Sequence, residues 1–355
     1  MWKSIEYTEN KMSDILDMTI EYYGKNNDIS KRDFLIHEYF ENVSGNAFIK
    51  LAFDDKNKIL AGQYVVIPMK IRVKKNQYPV ILSLNTLTRE AYRGKKIFIT
   101  LAEEVYGECK EKGYKFCYGA PNPNSHPGFL RRLQFQDIGV MPLYLKIVHP
   151  SLLVKQKFNS KLLEQLCRPL NFVFRDKRKQ NMKNVIEISN KNVFVMDKFW
   201  DKVKDKYDVI GVRNADFLRW RYINMPYREY KIFAVKKSQD ILGYLVTRIT
   251  DVAGMKCGMI VDFLIDVHNF DAGVELLKYA TDYFCSHNVG LMGCLMQQNF
   301  EEADCLKKMG FFRCPKAIEP QPFPIIYRKF NDFDGEELFS DFTHWFFTMG
   351  DYDVI

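Results

Sequence analysis

The residues best suited to chemistry are the basic run Arg93-Gly94-Lys95-Lys96, which follows an apolar stretch at 80–84. An amphipathic stretch begins directly behind the run, at Ile97, so the pattern predicts a strand, a short polar loop and a helix. The first turn of a helix has backbone N–H groups without intrahelical partners and carries the positive end of the helix dipole. The sequence therefore predicts an anion site at this loop.

The composition is that of a globular chain long enough for two domains. It has 355 residues, of which 47% are hydrophobic and 27% charged. Its longest apolar runs, such as 259–265, are far shorter than the roughly 18 to 20 residues of a membrane-spanning helix. The first seven residues have no apolar signal-peptide core. We therefore expect a cytoplasmic protein without a transmembrane segment.

Cysteine spacing and charge limit the classes of ligand. The eight cysteines form no Cys-x-x-Cys pair and do not cluster with the six histidines, so neither a metal site nor a disulfide framework is expected. The net charge of +8 comes partly from a basic cluster at 175–183, which is typical of a solvated linker. No pattern of stacking aromatics accompanies it, so a nucleic acid is an unlikely partner. Phosphates on a substrate or cofactor fit the basic balance.

Hydrophobic periodicity in the first half predicts the order β, α, α, β, β, β, loop, α, β, α, β. Three consecutive strands joined by polar turns predict an antiparallel meander. The predicted strands lie near 4–8, 47–53, 59–68, 78–84, 114–118 and 140–148, and the helices near 13–23, 31–42, 97–112 and 128–133.

The second half repeats this plan at a separation of roughly 170 to 180 residues. It begins at Val193, with helices near 197–206, 214–222, 272–286 and 301–309, and strands near 230–235, 241–248, 259–265 and 290–296. The predicted organisation is a first domain at 1–150, a basic connector with a short helix at 151–192, a second domain at 193–330, and an aromatic tail at 331–355. In that tail, Trp345, Phe346 and Phe347 predict docking onto the body of the protein.

The element order, with the anion loop between the fourth strand and the third helix, resembles the GCN5-related N-acetyltransferase (GNAT) superfamily. The family signature is Arg/Gln-x-x-Gly-x-Gly/Ala, and Arg93-Gly94-Lys95-Lys96-Ile97-Phe98 is similar to it. The resemblance implies an α/β (α+β) fold of two tandem GNAT-like domains, each a mixed, mainly antiparallel sheet flanked by helices. It also implies that backbone N–H groups of this loop bind the pyrophosphate of acetyl-coenzyme A (acetyl-CoA). Lys96 and Phe98 stand where the family usually has small residues.

Two further stretches extend the resemblance. Leu87-Thr88 corresponds to the part of the fourth strand that pairs with the pantetheine arm. Pro121-Asn-Pro-Asn-Ser125 resembles a pattern of a GNAT branch that is associated with bacterial surface-polysaccharide gene sets. Leu130 takes the place of the tyrosine that often serves as general acid. The cofactor-binding residues implied by the resemblance are Leu87, Thr88, Arg93, Gly94, Lys95, Lys96, Ile97, Phe98, Asn122, Asn124 and Ser125.

Candidate catalytic residues are fewer. His126 carries an imidazole, a side chain suited to proton transfer, and Asn85 could orient a water molecule or the acceptor. Both also have structural interpretations, as a capping histidine and a strand-end amide. Glu38 and Glu41 lie on the predicted second helix, where the family often contacts acceptors.

The second domain differs at the decisive loop. Its segment 266–271 lacks the glycine-basic pattern, so we expect acyl-CoA to bind only the first domain. The resulting hypothesis is an acyl-CoA-dependent N- or O-acyltransferase that uses acetyl-CoA or another acyl-CoA and acts near the interdomain cleft. Its acceptor would be a sugar or another small polar molecule, such as a nucleotide sugar or polysaccharide precursor. The alternatives are a Fem-type transferase that uses aminoacyl-tRNA and a non-catalytic tandem GNAT binding subunit.

Overall fold

The computed structural model describes residues 1–158, 161–171, 182, 184–252 and 254–352. The predicted basic cluster at 175–183 lies, apart from Met182, outside the described residues. The chain forms two units, each made of three segments. The first unit comprises Met1–Val140, Asn224–Arg228 and Phe323–Phe342, and the second comprises Met141–Ile223, Glu229–Pro322 and Thr343–Ile355.

The predicted helices and strands occur in the predicted order, and the structure adds strands at 185–188, 209–211, 312–313, 324–329 and 345–346. The strands are β1 Trp2–Glu6, β2 Phe48–Asp54, β3 Ile59–Val73, β4 Asn76–Thr88, β5 Phe116–Gly119, β6 Gln136–Val140, β7 Leu143–Ile147, β8 Val185–Ile188, β9 Val209–Gly211, β10 Tyr230–Lys237, β11 Asp240–Val252, β12 Met255–Ile265, β13 Leu291–Leu295, β14 Phe312–Arg313, β15 Pro324–Lys329 and β16 Trp345–Phe346. The helices are α1 Met12–Tyr23, α2 Arg32–Phe40, α3 Ile97–Glu111, α4 His126–Arg132, α5 Pro150–Phe158, α6 Lys161–Cys167, α7 Val195–Val203, α8 Ala215–Leu218, α9 Phe270–Ser286 and α10 Glu301–Lys308.

The first unit contains a mixed sheet in the order β1-β2-β3-β4-β5-β15-β6. Neighbouring strands are antiparallel except β4 and β5, which are parallel. Helix α3 buries a stripe of apolar residues against this sheet because they recur with helical spacing: Ile97, Leu101, Ala102, Val105 and Cys109. Side chains from β2, β3, β4 and β5 complete the same core.

The second unit contains a sheet in the order β8-β10-β11-β12-β13-β7-β14, in which β12 and β13 form the parallel pair. The two sheets therefore share one plan, with the parallel pair in the same place, and the predicted fold class is confirmed. The strand that opens the second sheet, β8, lies within the predicted connector at 151–192. The helix predicted near 197–206 is present at 195–203.

The predicted strand at 140–148 is two strands that belong to different sheets. Met141 and Pro142 separate β6 from β7, since proline cannot donate a hydrogen bond to a continuing ladder. Strand β7 pairs with β13 in the second sheet, and β15 lies between β5 and β6 in the first. The units therefore differ from the predicted contiguous ranges, since 141–150 belong to the second unit and 224–228 and 323–330 belong to the first. In the described part of the chain, no helix has the length and apolarity to cross a bilayer.

The aromatic tail is divided between the units, because residues up to Phe342 belong to the first unit and the chain from Thr343 onwards belongs to the second. Trp345, Phe346 and Phe347 are each buried, and β16 pairs in parallel with β9. A buried ionic network accompanies these aromatics. Arg213 Nη2 donates to Asp351 Oδ2 at 2.5 Å, and Arg213 Nε lies 3.2 Å from Asp262 Oδ2.

The network predicts the effect of Arg213→Ala on stability. Arg213 is 1% exposed, so its removal leaves two buried carboxylates without their cation, which costs about 3–5 kcal/mol. The matched control is Arg219→Ala, whose pair with Asp216 is largely exposed and is worth about 0–1 kcal/mol. Urea unfolding measures both variants. Equal losses in the two would show that the tail is not held by this network.

Glu302 is a second buried carboxyl group of this unit. Its Oε1 accepts hydrogen bonds from the Ile265 backbone N–H at 3.0 Å and from the Tyr207 hydroxyl at 2.9 Å. Burial raises the pKa of Glu302 to about 7. Because the folded state holds the proton more tightly than the unfolded chain does, the stabilisation is complete below pH ~4.5 and is lost as pH rises through about 7.

The variant Glu302→Gln should remove this pH dependence, because glutamine keeps the accepting oxygen and cannot ionise. We expect the unfolding free energy of the wild type to fall relative to that of the variant between pH 5 and 8, by about 1.4 kcal/mol per unit of pKa difference. Denaturant titrations across this range measure the difference. Parallel curves would contradict the assignment.

Candidate active site

The site begins where β4 and β5 separate. Their parallel ladder has two described pairs, Ile81↔Cys117 and Leu82↔Tyr118, whereas β4 continues to Thr88. Beyond Leu82, the described part of β4 has no strand partner on the β5 side. Such an edge offers backbone N–H and C=O groups to an extended ligand.

Strand β4 contains a bulge at this opening. Gln63 pairs with Leu87 and Val65 pairs with Leu84, so two residues of β4, Asn85 and Thr86, lie opposite a single residue of β3. Asn85 has φ +50°, a left-handed conformation that asparagine tolerates better than most residues. The bulge breaks the hydrophobic alternation, which is why the sequence predicts the end of this strand at 84.

Three side chains fix the bulge. Gln63 Nε2 donates to the Asn85 carbonyl oxygen at 2.7 Å. Asn85 Nδ2 donates to Glu38 Oε2 at 2.6 Å and to the Tyr39 hydroxyl at 3.1 Å. Both partners lie on α2, and Glu38 is 1% exposed. The roles of Gln63 and Tyr39 could not be predicted, because no spacing pattern connects them with Asn85.

The basic loop enters α3 through two left-handed residues. Gly94 has φ +78°, and Lys96, the residue before the first turn of the helix, has φ +62°. The side chains of Arg93, Lys95 and Lys96 are exposed, and neither Arg93 nor Lys96 forms an ion pair with a described residue. The N–H groups of the first turn of α3 follow directly. The loop therefore combines free cationic side chains with backbone donors, as an anion site requires.

Residues distant in sequence hold this loop in place. The Tyr92 hydroxyl donates to Asp54 Oδ2 at 2.9 Å, and Trp2 Nε1 donates to the Lys95 carbonyl oxygen at 3.2 Å. The hydrogen bond from Tyr92 holds the pKa of Asp54 below its usual range. Lys95 Nζ lies 4.4 Å from the centre of the Tyr92 ring.

Close packing joins the loop to the end of β4. A Cβ atom on Gly62 would lie 2.9 Å from Ile97 Cγ2, 3.0 Å from the Leu87 carbonyl oxygen and 3.2 Å from Thr88 Oγ1. Glycine at this position therefore allows the first residue of α3 to approach the strand end. The predicted residues Leu87, Thr88 and Ile97 are brought together here.

Phe98, the large residue in the signature, packs into the core. Its ring lies 5.8 Å from Tyr64 and 5.3 Å from Phe129 between ring centres. A Cβ atom on Gly128 would lie 3.3 Å from the Phe98 ring, so α4 comes close to α3 at this point. The Phe98 side chain therefore fills the core beside the loop and contacts α4.

The polar residues before α4 mainly bond one another. Asn122 Oδ1 accepts hydrogen bonds from the backbone N–H groups of Asn124 and Ser125, both at 3.0 Å. The Ser125 hydroxyl lies 3.2 Å from the same oxygen. The Asn122 side chain thus forms an Asx turn that leads into α4. Its carbonyl-type oxygen is used within the turn, whereas Asn124 is exposed.

His126 is the first residue of α4, and its Nε2 lies 2.7 Å from Asp137 Oδ1. Leu130 is partly buried against the core and offers no hydroxyl. No hydrogen bond joins His126 to Asn85 in the described part of the chain. The structure therefore brings the basic loop against the end of β4, and it brings α3 against α4 through Phe98. The two predicted catalytic residues, Asn85 and His126, lie in separate hydrogen-bond groups.

Comparison with known proteins finds the same GNAT family that the sequence resembles. Residues 4–137 match the family described as acetyltransferase (GNAT) domain. The chain is similar to a probable N-acyltransferase of Enterococcus faecalis V583 (13% identity, TM-score 0.63, covering 93% of this chain and 73% of that one). It is also similar to a GCN5-related N-acetyltransferase of Anabaena variabilis (9%, 0.65, 93% and 73%). The Saccharomyces cerevisiae N-myristoyltransferase with bound myristoyl-CoA is a further relative in fold (10%, 0.63, 92% and 82%). The search of curated proteins found no match.

The comparisons indicate an acyltransferase with GNAT-like sheets. Residues 4–137 match the GNAT acetyltransferase domain family, and the second sheet repeats the plan of the first. The similar structures share less than 25% identity with this chain, so they show the fold and leave the acceptor open.

The left-handed Lys96 predicts an unusual stability change. Lys96→Gly should stabilise the fold by about 0.5–1 kcal/mol, because glycine relieves a left-handed penalty of about 1–2 kcal/mol and gives part of this back as chain entropy. Lys96→Ala is the control, since it removes the charge and keeps the Cβ atom. Thermal unfolding should place Lys96→Gly above Lys96→Ala, and equal Tm values would contradict the proposed loop conformation.

Proposed function

We propose that the first unit binds acetyl-CoA and transfers the acetyl group to a small polar acceptor through its nitrogen or oxygen. The observation that carries the proposal is the continuity of two features. The unpaired edge of β4 runs from Ser83 to Thr88 and is followed, after one short loop, by the anion site before α3. An extended ligand with a phosphate group at one end matches such a path.

The anion end of the path suits a pyrophosphate. Gly94 and Lys96 turn the backbone through left-handed conformations, so consecutive N–H groups can converge on one oxygen-rich group. Arg93 and Lys96 add charge without being neutralised by a described carboxylate. In the proposal, Arg93, Gly94, Lys95, Lys96, Ile97 and Phe98 form the pyrophosphate site, and Phe98 contributes its backbone only.

The strand end of the path suits the pantetheine arm and the thioester. Amide groups of pantetheine would pair with the free edge at Leu87 and Thr88. A backbone N–H at the bulge would then polarise the thioester carbonyl, which becomes more negative as the nucleophile attacks. Asn124 and Ser125, at the start of α4, would complete the cofactor site beside α3, and Asn122 would support them through its turn.

Charge distinguishes the second unit from the first. Between β12 and α9 it carries Asp266, which is paired with Lys202 at 2.6 Å and with Lys206. Burial alone would raise the pKa of Asp266, but the two lysines hold it below its usual range. The two lysines at this place are thus used by a carboxylate, in contrast to Arg93 and Lys96 of the first unit. The proposal therefore assigns the cofactor to the first unit alone.

The acceptor is the least determined part of the proposal. The resemblance of Pro121-Asn-Pro-Asn-Ser125 to a polysaccharide-associated branch supports a nucleotide sugar or polysaccharide precursor in the cytoplasm. His126, oriented by Asp137, is the proposed general base, because its Nδ1 is not used by that contact. Asn85 is proposed to orient the acceptor.

Two substitutions in the loop test the cofactor site. Arg93→Ala removes a charge-assisted contact, and Gly94→Glu places an anion and a side chain at a left-handed position. Each should weaken acetyl-CoA binding by about tenfold or more in calorimetric titration. Lys110→Ala, on the last turn of the same helix, removes an equal charge and should leave the affinity unchanged.

Wild-type affinity in both Arg93→Ala and Gly94→Glu would refute the pyrophosphate assignment. Tight binding of acetyl-CoA without transfer to any amine or hydroxyl acceptor would instead favour a non-catalytic binding subunit. This second candidate is favoured by Leu130, which offers no hydroxyl group where the family often has a tyrosine as general acid.

A further inference from the structure

The amide of Asn85 has a fixed orientation. Its Nδ2 uses one hydrogen for Glu38 Oε2 and the other for the Tyr39 hydroxyl. The amide nitrogen is the donor in both contacts, so it faces Glu38 and Tyr39. Asn85 Oδ1 is consequently the atom left over, and no described residue donates to it. Asn85 is partly exposed, whereas Glu38 is buried, so a ligand can reach the amide but not the carboxylate.

Two neighbouring side-chain oxygen atoms also have no hydrogen-bond partner among the described residues. Gln63 is 2% exposed, and its Oε1 has no hydrogen-bond partner in the described part of the structure. Thr86 Oγ1 is likewise buried without a partner. The bulge therefore carries two further oxygen atoms that no described residue uses as hydrogen-bond partners.

The bulge amide faces the side of the sheet opposite to α3. Tyr64 bonds Tyr106 of α3 through its hydroxyl, so its side chain lies on the α3 face. Side chains alternate along a strand, and Gln63 therefore lies on the other face, which α2 covers. Asn85, bonded to two residues of α2, belongs to this second face. A molecule that meets Asn85 thus approaches from the side opposite to the basic loop and its helix.

We propose that Asn85 Oδ1 accepts a hydrogen bond from the nucleophilic N–H or O–H group of the acceptor, and that Glu38 is the positioning residue that fixes this oxygen. This assignment rests on the proposed transferase function. The acceptor enters on the α2 face of the opening between β4 and β5, and the thioester lies along the edge of β4. The hydrogen bond from Asn85 to Glu38 also polarises the amide, which makes Oδ1 a better acceptor.

The chemical step leaves Asn85 and Glu38 unchanged. The nucleophile attacks the thioester carbonyl carbon, the new C–N or C–O bond forms, and the C–S bond breaks. The proton lost by the nucleophile ends on the sulfur of the departing coenzyme A thiol. The role of Asn85 is to hold the lone pair of the nucleophile toward the carbonyl carbon, which is a contribution of orientation.

Hydroxylamine is a suitable probe, because it carries both N–H and O–H donors, is small, and gives a hydroxamate that can be quantified. The full-length protein is assayed with acetyl-CoA and hydroxylamine, after subtraction of the reaction without protein. Asn85→Gly keeps a backbone that tolerates φ +50° and removes the amide, and Glu38→Ala removes its support. Both should lower kcat/KM for hydroxylamine by about tenfold, with the KM for acetyl-CoA unchanged.

The conservative variant separates positioning from general destabilisation. Glu38→Gln can still accept the hydrogen bond from Asn85, so it should retain at least about a third of the wild-type rate. Asp33→Asn, on the first turn of the same helix and exposed, is the matched control and should behave as wild type. If Glu38→Ala does not fold, the comparison of Asn85→Gly with wild type alone tests whether Asn85 orients the acceptor.

Several outcomes would overturn the positioning role. These are a wild-type rate in Asn85→Gly, a parallel rise of the KM for acetyl-CoA in the variants, or no protein-dependent hydroxamate from a wild type that binds acetyl-CoA. In the last case the cofactor assignment stands, because calorimetric binding is measured separately. Failure of the wild type to bind acetyl-CoA would refute the proposed function itself.

Discussion

The separation of β4 from β5 after Leu82 is the constraint on which the site depends. While the two strands are paired, their backbone groups are satisfied by each other. Once they part, the edge of β4 needs other partners, because unpaired backbone groups away from water are costly. The bulge at Asn85, held by Gln63 and α2, and the close contact of Gly62 with Ile97 both shape this edge. The anion loop follows the same strand in the chain, so one extended ligand could contact both the strand edge and the loop.

The sequence predicted the order of elements and the loop well, because both depend on local patterns. Helix α3 shows its periodicity in five buried residues, and the strand–loop–helix junction at Arg93 needs only neighbouring residues to be recognised. The match of residues 4–137 to the GNAT domain family confirms the resemblance. The position of the Phe98 side chain could not be predicted from neighbouring residues, because its ring packs against Tyr64 and Phe129.

What the sequence could not predict depends on contacts between distant segments. The anchoring of the loop by Trp2 and Asp54, and of the bulge by Glu38, leaves no spacing signal. The single strand predicted at 140–148 is two strands in the structure. Its two parts pair with different partners, and these partners, rather than local propensity, decide which sheet each part joins. The parallel plan of the two sheets was visible as a repeat, but the positions of β7 and β15 were not.

The same plan has different electrostatics in the two units. The first presents free cations before α3, and the second has the ionised Asp266 before α9. Hydrogen–deuterium exchange of the full-length protein with and without saturating acetyl-CoA tests the central claim most directly. The account predicts slower exchange of the backbone N–H groups at 84–88 and 94–99, and no change at 266–271. Protection at 266–271 without protection at 94–99 would contradict it.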